Sequence, residues 1–102
     1  MLFAAQIRAA RALLDWRQDD LARAADVGIT TIRRIEAQPG PVMGYVSTVL
    51  TIQEALEKAG IQFTDEDESG GIGVRLRKKK RWGIDEYGGG PAVLKKSSKK
   101  RT

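Results

Sequence analysis

Residues 18–36, with the sequence QDDLARAADVGITTIRRIE, constrain the fold of this chain more than any other stretch. Apolar side chains recur at helical spacing on both sides of residues 26–28, and they are Leu21, Ala22, Ala25, Ile32 and Ile35. The three intervening residues leave room only for a tight turn. Ala22 supplies the small side chain that closely crossing helices require, and Val27 can fill the gap between them. The sequence therefore predicts two short helices packed across a three-residue turn.

This stretch resembles the helix-turn-helix of the XRE family, the Cro/cI-type or lambda-repressor-like DNA-binding proteins of bacteria and phages. The residues that match the family pattern are Gln18, Leu21, Ala22, Ala25, Val27, Thr31, Ile32, Ile35 and Glu36. Three positions depart from it, because Arg17 and Gly28 stand where Ser or Thr is usual and Asp26 stands where Gly is usual. Asp tolerates left-handed backbone angles, and Gly is an accepted helix N-cap. The resemblance covers residues 3–60 and, more loosely, the segment to Arg77.

The resemblance implies a mainly α fold, with a four-helix lambda-repressor-like DNA-binding domain over residues 1–64. The residues themselves predict a C-terminal β-hairpin extension over 61–77 and a basic tail over 78–102. The resemblance also implies that residues 29–37 form the helix that enters the DNA major groove. Arg34 is then expected to read a base, since an arginine can bind guanine through two hydrogen bonds. Thr30 is expected to contact a thymine methyl or a base edge, and Arg33 a phosphate.

Three further positions belong to the expected DNA-binding surface. Gln18 either lies in solvent at the start of its helix or, as the family implies, makes a hydrogen bond to a DNA phosphate. Ile29 either meets a thymine methyl or packs on the turn, and Thr31 either caps its helix or binds phosphate. A solvated helix face without DNA contacts is the alternative for the whole set, which is Gln18, Ile29, Thr30, Thr31, Arg33 and Arg34.

With 102 residues, the chain has room for one small domain. It contains no cysteine and no histidine, so it lacks disulfides, thiolate metal sites and the commonest general base. We therefore expect no enzymatic activity, no cofactor and no metal. No apolar run approaches the roughly 20 residues of a membrane span, and arginines interrupt the apolar N-terminus, unlike in a signal peptide. A cytoplasmic protein without membrane association is expected.

Charge is unevenly distributed along the chain. Residues 1–64 hold seven Lys/Arg and seven Asp/Glu, residues 65–68 are all acidic, and residues 69–102 hold eleven Lys/Arg and two acids. The net charge of +5 therefore comes from the end of the chain, and the predicted DNA-reading segment is neutral. Composition favours a flexible tail over 78–102 that either keeps the chain soluble or adds sequence-independent phosphate contacts. An apolar group in this tail can dock on the body or on a partner: Trp82, Ile84 and Tyr87.

Helical spacing predicts two more helices, with a loop before the second. Residues 3–15 predict a first helix whose inward face is formed by Phe3, Ile7, Ala10 and Leu14. Trp16 is expected in the core behind it. Residues 38–44 contain two prolines and two glycines and predict a loop, which either follows the DNA backbone, as in the family, or only connects. Residues 46–59 predict a helix, with Ser47 as a possible cap and a buried stripe formed by Val49, Ile52, Leu56 and Ala59.

Residues 61–64 and 73–77 alternate apolar and polar side chains around an acidic, glycine-rich loop, which predicts a β-hairpin. An isolated two-stranded hairpin is marginal in water, so it must pack on the helices or pair with another chain along its open edge. Small helix-turn-helix proteins need two copies to read a palindrome. We therefore expect a homodimer joined partly through this hairpin.

The favoured hypothesis is a sequence-specific regulator of transcription that binds double-stranded DNA, either as a repressor or as an autoregulator, and reads the major groove with residues 29–37. The alternative is a protein-interaction module, antiactivator-like or antitoxin-like, that uses the same fold without reading DNA. Its support is the neutral helical segment and the irregular helix caps.

Overall fold

The structure is a computed structural model, and it describes residues 1–44 and 46–77. These ranges form four helices and a two-stranded antiparallel sheet. The elements in chain order are α1 (Ala4–Leu14), α2 (Gln18–Ala25), α3 (Ile29–Glu36), α4 (Val46–Lys58), β1 (Ile61–Thr64) and β2 (Gly73–Leu76). The predicted helices and hairpin are therefore confirmed, with each end within one residue of its predicted position. The predicted tail, with its apolar group of Trp82, Ile84 and Tyr87, lies outside the described residues.

The core lies where the inward faces of the four helices meet the hairpin. α2 packs against both α3 and α4, and α1 packs against α3 and β2. Each of the four helices and strand β1 contributes to the largest fully buried side chains, which are Ile7, Leu21, Ile32, Ile52, Leu56 and Ile61. Each such side chain stabilises the fold by about 1.5–3 kcal/mol through burial. The core therefore holds α3 from one side and leaves its other side to solvent.

Four residues differ from their predicted positions. Phe3, Trp16 and Val49 are half-buried, and of these Trp16 and Val49 pack against the edge of the core instead of filling it. Phe3 has extended backbone angles and precedes α1 as its N-cap residue. Ser47 is not the cap of α4, because the helix already begins at Val46 and Ser47 lies in its first turn, where its carbonyl accepts a hydrogen bond from the side chain four residues later.

The hairpin packs on the helices through one apolar face. Ile61 lies opposite Leu76, and Phe63 lies opposite Val74, so all four side chains share this face. β1 contacts α4 and β2 contacts α1, and the four side chains belong to the main core or pack against it. Of the two expected ways to stabilise the hairpin, packing on the helices is therefore observed. Pairing of its edge with another chain stays a prediction.

The acidic loop between the strands is closed by Asp67. Its carboxylate oxygen Oδ1 accepts hydrogen bonds from the Ser69 amide at 2.8 Å, the Ser69 hydroxyl at 2.8 Å and the Gly70 amide at 3.2 Å. These bonds favour the ionised carboxylate, and the Ser69 hydroxyl is their largest contribution, so the pKa of Asp67 lies below its ordinary value of 3.8. The loop is therefore stabilised above pH 3.8 and loses this contribution as the pH falls through the lowered pKa.

Replacing Ser69 with alanine is expected to move the pKa of Asp67 back toward 3.8, because the hydroxyl donor is lost and the two amide donors remain. An NMR titration of the Asp67 carboxyl carbon measures this shift. Ser47→Ala is the matched control, since it removes a hydroxyl on α4. An unchanged midpoint in Ser69→Ala contradicts this description of the loop.

Candidate nucleic-acid interface

The start of α2 is stabilised from inside the helix. Arg17 occupies the N-cap position with extended backbone angles, and its side chain has no oxygen to accept a capping hydrogen bond. The Arg17 amide instead donates to Asp20 Oδ2 at 2.8 Å. Asp19 and Asp20 both lie in the first turn, where negative charge is favoured by the helix dipole. The departure from the family pattern at Arg17 is therefore compensated by Asp20.

The turn between α2 and α3 has the geometry that the sequence predicts. Asp26 ends α2 in the left-handed region at φ 56°, which Asp tolerates better than most residues. The Val27 amide donates to the Ala22 carbonyl at 3.0 Å, and the Val27 side chain packs against the core between the two helices. Gly28 is extended, and its carbonyl accepts the amide of Thr31 at 3.0 Å to start α3. Residues 18–36 thus form two helices joined by a three-residue turn.

The side chains of α3 divide between a buried face and an exposed one. Ile32 and Ile35 are fully buried against the core. Thr30, Arg33 and Arg34 are exposed. The structure thus places the three residues expected to read bases and bind phosphate on the outward side of one helix, where a ligand can reach them.

The other three expected site residues are each half-buried. Ile29 packs against the core through its buried part, and its contact with a thymine methyl stays a prediction. Thr31 does not cap α3, because the N-cap residue is Gly28 and the helix begins without a side-chain cap bond. Gln18 is not a freely solvated residue, since its Nε2 donates to Glu36 Oε1 at 3.1 Å. Phosphate contacts by Gln18 and Thr31 stay predictions.

A buried ion pair fixes the C-terminal end of α3. Glu36 is only 4% exposed, and its carboxylate is held by Arg11 through Nε at 2.7 Å and through Nη2 at 2.8 Å. Gln18 from α2 adds its bond to the same carboxylate. Arg11 also donates to the Trp16 carbonyl at 3.0 Å, and Arg8 donates to the backbone carbonyl of Glu36. This network ties α1 and α2 to the last residue of the helix that carries the candidate site.

Sequence reasoning missed the roles of Arg8, Arg11 and Glu36. One signal was present, because Glu36 lies four residues after Ile32 and therefore falls on the inward stripe of α3. A charged residue at such a position requires a buried partner of opposite charge. The identity of that partner depends on how α1 crosses α3, and the spacing of residues along α3 does not predict this crossing.

Positive charge near the candidate site is concentrated on α3 itself. Arg33 and Arg34 are adjacent and exposed on the outward side. Arg23 on α2 is also exposed but forms an ion pair with Asp20, which offsets its charge. Residues 35–57, which follow along the chain, contain no lysine or arginine. The attraction for an anionic ligand therefore comes from these two arginines on α3, together with the exposed Arg17 that precedes α2.

Across residues 1–44 and 46–77, His, Cys, Asp and Glu side chains form no group of three or more that could hold a metal ion. None of the helices in these ranges is both long enough and apolar enough to cross a membrane. No family model matches the chain, and no curated protein matches it significantly.

Proposed function

We propose that this protein is a sequence-specific regulator of transcription that binds double-stranded DNA through a helix-turn-helix of the XRE type, with α3 in the major groove. The observation that carries the proposal is the division of α3 into a buried side and an exposed side that bears Thr30, Arg33 and Arg34. Arginine and threonine side chains on the exposed side of a short helix suit base readout in the major groove, and packing of the opposite side against the core holds the helix in place.

Each exposed side chain of α3 has a distinct task in this proposal. Arg34 reads guanine through two hydrogen bonds, which discriminates against another base by about 1–3 kcal/mol. Thr30, near the start of α3, contacts a thymine methyl or a base edge. Arg33 binds a phosphate and positions the helix without reading sequence. Gln18, at the start of α2, and Thr31 add phosphate contacts at the edge of the groove.

The regulator acts as a homodimer on a palindromic or repeated operator. Two copies then place their α3 helices in successive major grooves, with half-sites about 34 Å apart, one turn of DNA. Occupation of a promoter by the dimer excludes polymerase, which makes the protein a repressor or an autoregulator. The basic residues after Arg77 supply sequence-independent attraction to the DNA backbone.

Selection of bound sites from random double-stranded DNA tests the proposed function. The full chain is expected to enrich one palindrome with half-site centres about 10 base pairs apart. A variant with glutamine at Lys95, Lys96, Lys99 and Lys100 is the control for the tail, and it should enrich the same palindrome while its affinity depends less steeply on salt. Failure of the wild-type chain to enrich any sequence at low salt contradicts the proposal.

A protein-interaction module, antiactivator-like or antitoxin-like, is the second candidate. Two observations favour it: the neutral charge of residues 1–64, and the exposed apolar side chains of Met43 and Val46. Such a protein would give no gel shift with any double-stranded DNA at low salt, with or without Arg33 and Arg34. Residues 38–44 and the hairpin would then be candidate contact segments.

A further inference from the structure

Three exposed apolar side chains lie at or just before the start of α4. Met43 is 73% exposed, Val46 is 73% exposed and Leu50 is 49% exposed. Val46 and Leu50 are four residues apart on one face of α4, and Met43 lies in the loop that leads into this helix. We call these three residues the α4 patch. Exposed apolar groups that cluster in this way mark surfaces that bind another molecule.

The backbone beside the α4 patch is held in place by hydrogen bonds. Gln38 forms two with Met43: Nε2 donates to the Met43 carbonyl at 2.9 Å, and Oε1 accepts the Met43 amide at 2.8 Å. The Val42 amide donates to the Leu2 carbonyl at 2.8 Å, and the Ala4 amide donates to a carbonyl of the same loop. Met43 is therefore presented to solvent from a fixed backbone, which lowers the entropy lost when the surface binds a partner.

The charge around the α4 patch determines which partner it fits. Residues 35–57 contain no lysine or arginine, so the segment that carries the patch offers no cation of its own to a phosphate or to an acidic protein. Its exposed neighbours on α4 are the neutral Ser47 and Thr51, with Glu54 one turn further. A neutral apolar surface that meets a copy of itself buries no like charges, and depletion of charge is typical of the centre of protein interfaces.

We propose that the α4 patch is the surface through which two copies of this chain form a homodimer. This inference rests on the proposed function, which requires two copies. None of the exposed side chains of α3, which are Thr30, Arg33 and Arg34, belongs to the α4 patch. Formation of the dimer through the patch therefore uses none of the side chains that are proposed to read DNA.

The edge of the hairpin is the competing surface for dimerisation, and its charge disfavours one of the two ways in which β2 can pair with itself. The symmetric antiparallel register centred on Arg75 places the Arg75 side chains of two copies opposite each other, whereas the register centred on Val74 places Arg75 opposite Gly73. Like charges directly opposite across strands are destabilising. Val74 and Leu76 also pack against the core of their own chain, so their apolar side chains are already in use.

Sedimentation equilibrium of the full chain without DNA tests the inference. The test variant is Val46→Asp with Leu50→Glu, which places two acids at the patch. The acid at position 46 lies in the first turn of α4, where negative charge stabilises the helix. The control is Ala5→Asp with Ala9→Glu, the same two acids at the same spacing on exposed positions of α1. A third variant, Arg75→Thr, tests the hairpin edge, because it removes the charge that would oppose strand pairing there.

The wild type and the α1 control are expected to be dimers, and the dissociation constant of the patch variant is expected to rise at least about 100-fold, with unchanged helix content by circular dichroism. If the patch variant loses helix, Met43→Glu is measured instead, since Met43 lies outside α4. The inference is overturned by a patch variant that remains as dimeric as the wild type, by tighter dimerisation of Arg75→Thr, or by a wild type that is monomeric throughout. None of these results depends on DNA, so a failure to bind DNA is measured separately and refutes only the proposed function.

Discussion

Replacing Glu36 with alanine is expected to lower the free energy of unfolding by up to about 3–5 kcal/mol, because Arg11, whose side chain is 19% exposed, then loses its carboxylate partner. Arg11 has two hydrogen bonds to this carboxylate, and Gln18 has a third. All three bonds end on a side chain that is 3% exposed, so water does not replace the lost acceptor freely. Since most small domains are stable by only about 5–15 kcal/mol, much of the chain's stability is at risk.

Urea denaturation followed by circular dichroism measures the effect of Glu36→Ala. Glu54→Ala is the matched control, because Glu54 is exposed on α4 and should change stability by less than about 0.5 kcal/mol. The double variant Arg11→Met with Glu36→Leu should recover most of the loss, since it leaves no unpaired charge. A loss below about 1 kcal/mol for Glu36→Ala would show that the ion pair does not hold α3 in place.

Replacing Gln6 with glutamate is expected to cost about 3 kcal/mol or more at neutral pH, because a carboxylate would face two carbonyl oxygens in a buried site. Gln6 is 3% exposed. Its Nε2 donates to the Thr64 carbonyl at 3.2 Å and to the Gly73 carbonyl at 3.0 Å, while its Oε1 accepts the Phe3 amide at 2.9 Å. This one amide joins the start of α1 to the loop end of the hairpin.

The loss in Gln6→Glu should shrink as the pH falls from neutral toward the usual glutamate pKa of about 4.3, because burial beside two carbonyl oxygens raises the pKa of the new carboxyl in the folded protein and its protonated form restores one donor. Gln62→Glu is the matched control. Gln62 Oε1 accepts from Arg75 Nε at 2.8 Å on the outward face of the hairpin, so this glutamate gains an ion-pair partner. Thermal unfolding at pH 7 and at low pH compares the two variants. Equal stability of both variants at pH 7 contradicts the role assigned to Gln6.

The local features of this fold could be predicted because their determinants lie close together in the sequence. Three residues between two helical patterns permit only a turn, so the bounds of α2 and α3 and the left-handed Asp26 followed from residues 18–36. Alternation with period two likewise predicted which hairpin side chains share a face. Exposure of Thr30, Arg33 and Arg34 followed from the inward positions of Ile32 and Ile35.

The long-range contacts could not be predicted in the same way. Arg11 and Glu36 are 25 residues apart, and Gln6 and Gly73 are 67 residues apart, so their pairing depends on how the helices cross. For Gln18, the sequence left solvent and phosphate as alternatives, and the structure adds a third partner in Glu36. A polar residue on a helix can be assigned to a face from its spacing, but its partner is fixed only by the elements that pack beside it.

The central claim is that the outward side of α3 reads DNA. It is tested most directly by the binding of the selected palindrome to the double variant Arg33→Ala with Arg34→Ala. The control is Arg23→Ala with Arg75→Ala, which removes the same charge from exposed positions outside α3. Fluorescence anisotropy at several salt concentrations is expected to show at least about 30-fold weaker binding for the α3 variant, with most of its preference for the palindrome lost. The control should keep that preference over unrelated DNA. Equal preference for the palindrome in both variants would contradict the claim.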